Sequence, residues 1–172
     1  MEMGVDFMSD YIMDLRKIIG HQPLLQVGAS VIVEDEQGRI LLQLSRDNNC
    51  WGYAGGSVEL DEKVEDAAKR ELFEETGLIA QELELFGVFS GKDLHYTYPN
   101  GDEVSNIDIV YTCRKYSGTL KMQESEVADL QFFDVNEIPD NISPPIRRQL
   151  FQWIEQIEQN SNTDIHVNLI LK

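Results

Sequence analysis

Three glutamates, Glu71, Glu74 and Glu75, stand at relative positions 0, 3 and 4 in the stretch RELFEETGL, residues 70–78. On a helix these positions share one face, where like charges repel by roughly 0.2–0.5 kcal/mol per pair. A glutamate-rich helix face is most often a solvated surface. The chemistry open to it otherwise is that of a hard-cation site. Carboxylate oxygens are the ligands that Mg²⁺ and Mn²⁺ prefer, and side chains at i, i+3 and i+4 can converge on an ion. A bound cation would remove the repulsion. Arg70 lies four residues from both Asp66 and Glu74, so it can offset negative charge without standing in the carboxylate row.

These residues need a helix to hold them. The pattern predicts one from about 61 to 76, with Val64, Ala68 and Leu72 as an apolar row and Gly77 as the left-handed residue that ends it. The small Ala67, four before Glu71, keeps the space in front of the carboxylates open. Upstream, LLQVGASVIVED and RILLQLS read as strands joined at EDEQG, a hairpin from about 24 to 45, followed by the irregular, glycine-rich WGYAGGSVEL. Downstream, LIAQELELFGVFSG and SNIDIVYTCRKY read as strands, separated by a long loop or hairpin that turns at Asn100-Gly101. LQFFDVNEIP adds a short strand. A C-terminal helix is expected over about 144–159, with Ile146, Leu150, Trp153, Ile154 and Ile157 on its apolar stripe. Residues 1–20 are expected as an N-terminal helical extension, and 160–172 as a tail that could form a last strand. The order suggests a single mixed α/β layered domain over 1–172.

Extended backwards, the opening stretch becomes GSVELDEKVEDAAKRELFEETGL, residues 56–78. It resembles the signature of the Nudix hydrolases at every position: Gly56, five residues, Glu62, seven residues, Arg70-Glu71, Leu72, one residue, Glu74-Glu75, one residue, Gly77, Leu78. A chance match in a chain of this length is on the order of one in a million or rarer. Trp51, Gly55-Gly56 and LQFFDVNEIP also look like their counterparts in the family. Ala54 departs from it, since many members carry proline there, which affects loop stiffness more than chemistry.

The resemblance implies an α/β/α sandwich with a mixed β-sheet and a Mg²⁺- or Mn²⁺-dependent pyrophosphohydrolase. Such an enzyme cleaves a nucleoside diphosphate linked to another group, a triphosphate or a conjugate such as a nucleotide sugar, by attack of water on phosphorus. It also implies the roles. Glu71, Glu74 and Glu75 are expected as metal ligands and Gly56 as a carbonyl ligand. Arg70 is expected to orient the glutamates, with Glu62 and Gly77 structural. A further acid from a loop often completes such sites as base or extra ligand. Glu126 is the first choice, beside Glu124, with Glu103 more remote. Trp51, Tyr53, His95 and Tyr96 are candidate substrate contacts; packing in the core is an equal alternative for Trp51. The rival reading is a non-catalytic module that kept the fold to sense a nucleotide or bind a partner.

Composition narrows the partners. Asp and Glu number 31 against 14 Lys and Arg, a net charge of −17. Such a chain repels a phosphate backbone, so no nucleic-acid polymer is expected as partner. A small anionic nucleotide remains compatible, because divalent cations can invert the local field. Cys50 and Cys113 lie far apart in no metal-like spacing and read as free thiols of a reducing cytoplasm. The acidic N-terminus does not read as a signal peptide, and no apolar run reaches the length of a membrane span. One side of the C-terminal helix is a candidate surface for a homodimer.

Overall fold

The structure, a computed structural model, describes residues 11–170, with side chains through residue 159. The first ten residues of the expected N-terminal extension and the last two of the expected tail lie outside the described residues. The chain forms α1 (Tyr11–Ile19), β1 (Leu24–Val33), β2 (Ile40–Ser45), β3 (Trp51–Gly52), β4 (Ala54–Ser57), α2 (Val64–Thr76) and β5 (Leu78–Phe89). A 3-10 turn at Lys92–Leu94 leads into β6 (His95–Thr97), β7 (Glu103–Gly118), β8 (Val127–Phe133) and α3 (Pro144–Ile170).

The main sheet is mixed, in the order β4-β1-β7-β5, with β6 also paired to β7. β1 runs parallel to β7 and antiparallel to β4. A smaller antiparallel sheet has the order β3-β2-β8. Because side chains alternate along a strand, the two faces of the β1–β7 pair build two cores. Ala29, Val31, Val33, Tyr111 and Cys113 pack with Ala67, Ala68 and Leu72 of α2. Ile32 and Val110 pack on the other side with Leu150, Trp153 and Ile154 of α3. The result is the expected α/β/α layering around a mixed sheet.

Three expectations are corrected. Residues 24–45 do not form a hairpin ladder. The turn is present, closed by Asp35 N–H to the Arg39 carbonyl at 2.9 Å, but only the bridge Glu34–Ile40 joins its arms. A strand has two edges, and both edges of β1 are taken, by β4 and β7; β2 therefore passes to the second sheet. The helix that carries the three glutamates begins at Val64 rather than 61, since Asp61 adopts a positive φ of 62° and residues 59–62 form a turn. The tail is not a strand: α3 continues unbroken from Pro144 to Ile170. Both cysteines are free, with Cys113 buried. Among the described residues, no helix is long and apolar enough to cross a membrane.

Candidate active site

Arg70 is the hub of the site. Its Nε and Nη2 donate to the two carboxylate oxygens of Glu62, at 2.8 and 2.9 Å. This fork-to-fork pairing is a geometry only arginine offers. Nη1 donates to Glu71 at 2.6 Å and to Glu74 at 3.3 Å, and Nη2 also donates to the Ser57 carbonyl at 3.0 Å. One guanidinium thus ties the loop before α2 to two of its glutamates. The hydrogen bond from Arg70 holds the Glu62 carboxyl below its ordinary range, helped by the Glu59 N–H, which donates to it at 3.0 Å. Both oxygens of Glu62 are committed to this pairing.

Glu75 is set differently. It is 8% exposed, and its Oε2 accepts from the Gly55 N–H at 2.9 Å. The Gln43 side chain also hydrogen-bonds this carboxylate. Burial pushes the Glu75 carboxyl up to about 8, reinforced by the charges of Glu71 and Glu126. Glu71 is likewise raised, first by burial, against the opposing pull of Arg70. The glycine pair lets β4 cross this close. A Cβ on Gly56 would fall on the Glu71 carboxylate, and one on Gly55 would strike Ser30.

The far end of α2 brings in the remaining acid. Gly77 takes φ 75° and donates its N–H to the Phe73 carbonyl at 2.8 Å, closing the helix. The segment after β7 then docks on this end, with the Lys121 N–H donating to the Thr76 carbonyl at 2.8 Å. The Glu126 carbonyl accepts from the Arg46 N–H at 2.8 Å, which anchors the loop to the end of β2. Glu126 thereby comes close enough for its charge to raise both Glu71 and Glu75. Glu124 contributes its carbonyl to Arg46 Nε at 2.7 Å. Glu103 is engaged with His95 at 2.6 Å.

On the opposite side of Gly55-Gly56 lies a recess lined by Gln26, Ser30, Tyr96, Tyr98, Asn106 and Asp108, among others. Tyr96 sits in its wall. Tyr53 is buried beneath it, donating its hydroxyl to Asp108 Oδ2 at 3.3 Å. His95 is exposed, with its Nε2 in hydrogen-bond contact with the Glu103 carboxylate. Trp51 does not line the recess; it packs edge-on against Phe133, ring centroids 4.8 Å apart, in the α3-side core. Sequence reasoning missed Asp108, which also accepts from Ser30 Oγ at 2.8 Å and whose carboxyl burial pushes up. It missed Gln43 as well. The available signal was a polar residue inside an apolar strand run, in NIDIV and in LLQLS.

The NUDIX domain profile matches residues 24–154. This chain belongs to the NUDIX family. It is 37% identical over 108 residues to the ADP-ribose pyrophosphatase of Methanocaldococcus jannaschii, a match covering 60% of each chain. It is 30% identical over 121 residues to a MutT-like protein of Streptomyces ambofaciens, covering 70% of this chain and 71% of that one. Among solved structures, the MutT NUDIX hydrolase of Burkholderia pseudomallei superimposes with a TM-score of 0.64 at 28% identity, covering 75% of this chain and 98% of that one.

The NUDIX glutamates do not form a closed ion cage as they stand: among the described residues, no three His, Cys, Asp or Glu side chains are grouped to hold a metal. Glu74 is exposed and leans on Arg70. The donor set nevertheless suits a hard divalent cation. Glu71, Glu75 and Glu126 crowd one another's charge, and a cation relieves that crowding. Gln43 Oε1 is buried without a hydrogen-bond partner, although its amide already holds Glu75. A water on a hydrated cation would satisfy it. Glu71, Glu74, Glu75, Glu126 and the Gly56 carbonyl are the groups that could hold the ion.

Proposed function

We propose that the protein is a divalent-metal-dependent pyrophosphohydrolase that cleaves the diphosphate of a nucleoside-diphosphate conjugate of the ADP-ribose type. The observation that carries this reading is the placement of an Arg70-organised glutamate cluster directly behind the Gly55-Gly56 segment that edges the recess. The diphosphate would lie along that segment, with the nucleoside between Tyr96, Tyr98 and the amides of Gln26 and Asn106. The 37% identity to an ADP-ribose pyrophosphatase supports a conjugate ahead of a triphosphate.

Bound at the glutamates, Mg²⁺ or Mn²⁺ supplies charge neutralisation of the diphosphate oxygens and a more acidic water. The chain supplies the rest. Glu71, Glu74 and Glu75 hold the cation, and Arg70 fixes Glu71 so that little reorganisation is needed on binding. Glu126, on a loop and exposed, accepts the proton as the water oxygen bonds to phosphorus. The P–O bond to the bridging oxygen breaks, leaving a nucleoside monophosphate and the phosphate of the other moiety. The net charge of −17 favours such small substrates, delivered with their cations, over a nucleic-acid polymer.

The test is turnover of ADP-ribose, a nucleotide sugar and a nucleoside triphosphate by the full chain with and without Mg²⁺. Products are identified in ¹⁸O-water to show which phosphorus is attacked. ADP-ribose is expected to turn over fastest, and Glu126→Gln to lower kcat by roughly 10²–10⁴-fold, as for loss of a general base, while Glu124→Gln leaves it within about twofold. Absence of metal-dependent cleavage across the panel would overturn the reading.

A further inference from the structure

The matched family region begins at residue 24, so α1 lies outside it. α1 is nevertheless tied to both sides of the site. At its C-terminal end, Arg16 is buried, with its side chain only 7% exposed. Its Nη1 donates to the carbonyls of Gly20 at 3.1 Å and Gln22 at 2.7 Å, and its Nη2 to the carbonyl of Glu103 at 2.7 Å. Nε lies 3.8 Å from Asp102 Oδ1, which His21 Nδ1 also meets at 2.8 Å. At the other end, the Tyr11 N–H donates to Glu59 Oε2 at 3.2 Å. The Glu59 N–H in turn donates to Glu62, the partner of Arg70.

The carbonyl that Arg16 grips belongs to the β6–β7 hairpin. That hairpin is short: three residues of β6 pair with β7, and the turn closes through Tyr98 N–H to the Asp102 carbonyl and Gly101 N–H to the Tyr98 carbonyl, each 2.8 Å. β7 is held on its other edge by β1, with Leu24 opposite Val104 and Leu25 opposite Ser105, whereas among the described residues β6 has only its three pairs with β7 and the turn beyond Glu103 has no strand beside it. The hairpin carries Tyr96 and Tyr98, whose rings meet edge-on at 5.0 Å and line the recess. A buried guanidinium with donors spent on three carbonyls from two segments is costly to leave half satisfied. Arg16 therefore fixes the turn end of the hairpin, at Glu103, while β1 holds the β7 base.

We propose that Arg16 is a positioning residue: through it α1 clamps the β6–β7 hairpin, so that Tyr96 and Tyr98 form the wall of the substrate recess. The inference rests on reading that recess as the substrate site. Arg16 touches no reacting atom, so its removal loosens substrate binding and spares the chemical step.

The test uses the full chain with Arg16→Ala and Arg16→Lys, and two readouts. The first is amide hydrogen exchange without substrate. In Arg16→Ala, exchange over residues 96–104 is expected to rise about tenfold or more relative to wild type, while α2 keeps its protection. The second is kinetics on whichever substrate the wild type turns over. KM is expected to rise about fivefold or more with kcat within about twofold, the mark of lost uniform binding. Arg16→Lys is expected to fall between, since one ammonium cannot span carbonyls of both segments; it decides the matter by the same readouts if Arg16→Ala does not fold. Unchanged exchange over 96–104, equal loss of protection in α2, or a fall in kcat without a rise in KM would overturn the clamp. Exchange reads the hairpin without substrate, so a wild type that cleaves nothing sinks the proposed function and leaves this result interpretable.

Discussion

Glu75 makes the metal-free protein sensitive to pH in an unusual direction. Its carboxyl stands at about 8 in the folded chain and near an ordinary glutamate value, roughly 4.3, once unfolded. The folded pKa is raised, so between these values the native state keeps a proton that the unfolded chain has released. The stabilising contribution is full below about pH 4 and is lost as pH rises toward 8. Between pH 6 and pH 8 the loss amounts to about 2 kcal/mol, which for a domain of this size lowers Tm by roughly 4–8 °C. Glu71, also raised, acts in the same sense. Glu75→Gln keeps an acceptor for the Gly55 N–H but does not titrate, so its Tm is expected to change much less over this range. On the proposed function Mg²⁺ takes the deprotonated site, so excess Mg²⁺ is expected to stabilise the wild type more at pH 8 than at pH 6. The assay is thermal unfolding followed by circular dichroism at pH 6, 7 and 8, in chelator and then in Mg²⁺, at constant ionic strength. A wild-type Tm that is flat or rising with pH in chelator, or a Glu75→Gln slope equal to that of the wild type, would refute the reasoning.

Two further substitutions probe how the site is held. Gly56→Ala places a methyl on the Glu71 carboxylate and is expected to cost roughly 1–3 kcal/mol; Mg²⁺ titration should show weakened affinity in a chain that still folds by circular dichroism. Leu72→Ala empties a fully buried position between α2 and the sheet. It is expected to cost about 2–5 kcal/mol, read as a lower urea midpoint at unchanged slope.

What could be read from the amino-acid order was the local part of the site. Glu71, Glu74 and Glu75, the row that anchors on Leu72, and the stop at Gly77 depend on spacing within one helix, and one helix is enough to decode them. Arg70 was legible as an organiser, but its fork on Glu62 was not, because that contact needs the loop before α2 to fold back. The supposed hairpin over 24–45 failed for the complementary reason. Alternation announces that a strand exists, yet pairing is decided by which edges remain free, and both edges of β1 were claimed by β4 and by the sequence-distant β7.

The two residues missed outright share a logic that a sequence can carry. Gln43 and Asp108 each sit at an inward-facing position of a strand. Gln43 shares the parity of Leu41, which packs in the α2-side core, and Asp108 that of Val110, on the α3 side. A polar group at such a position costs free energy unless something meets it. What meets these two lies at the site itself. Gln43 reaches Glu75 and keeps one unpartnered oxygen, and Asp108 gathers Ser30 and Tyr53 under the recess. They are one device used in two sheets, Gln43 in β2 of the smaller sheet and Asp108 in β7 of the main one. A strand that must be apolar to fold gives up one inward position, in β2 to hold the buried glutamate and in β7 to floor the recess. The Gly55-Gly56 segment runs between them, its Gly55 N–H on Glu75 and its Gly55 Cα against Ser30, the partner of Asp108, with Gly56 against the Glu71 carboxylate.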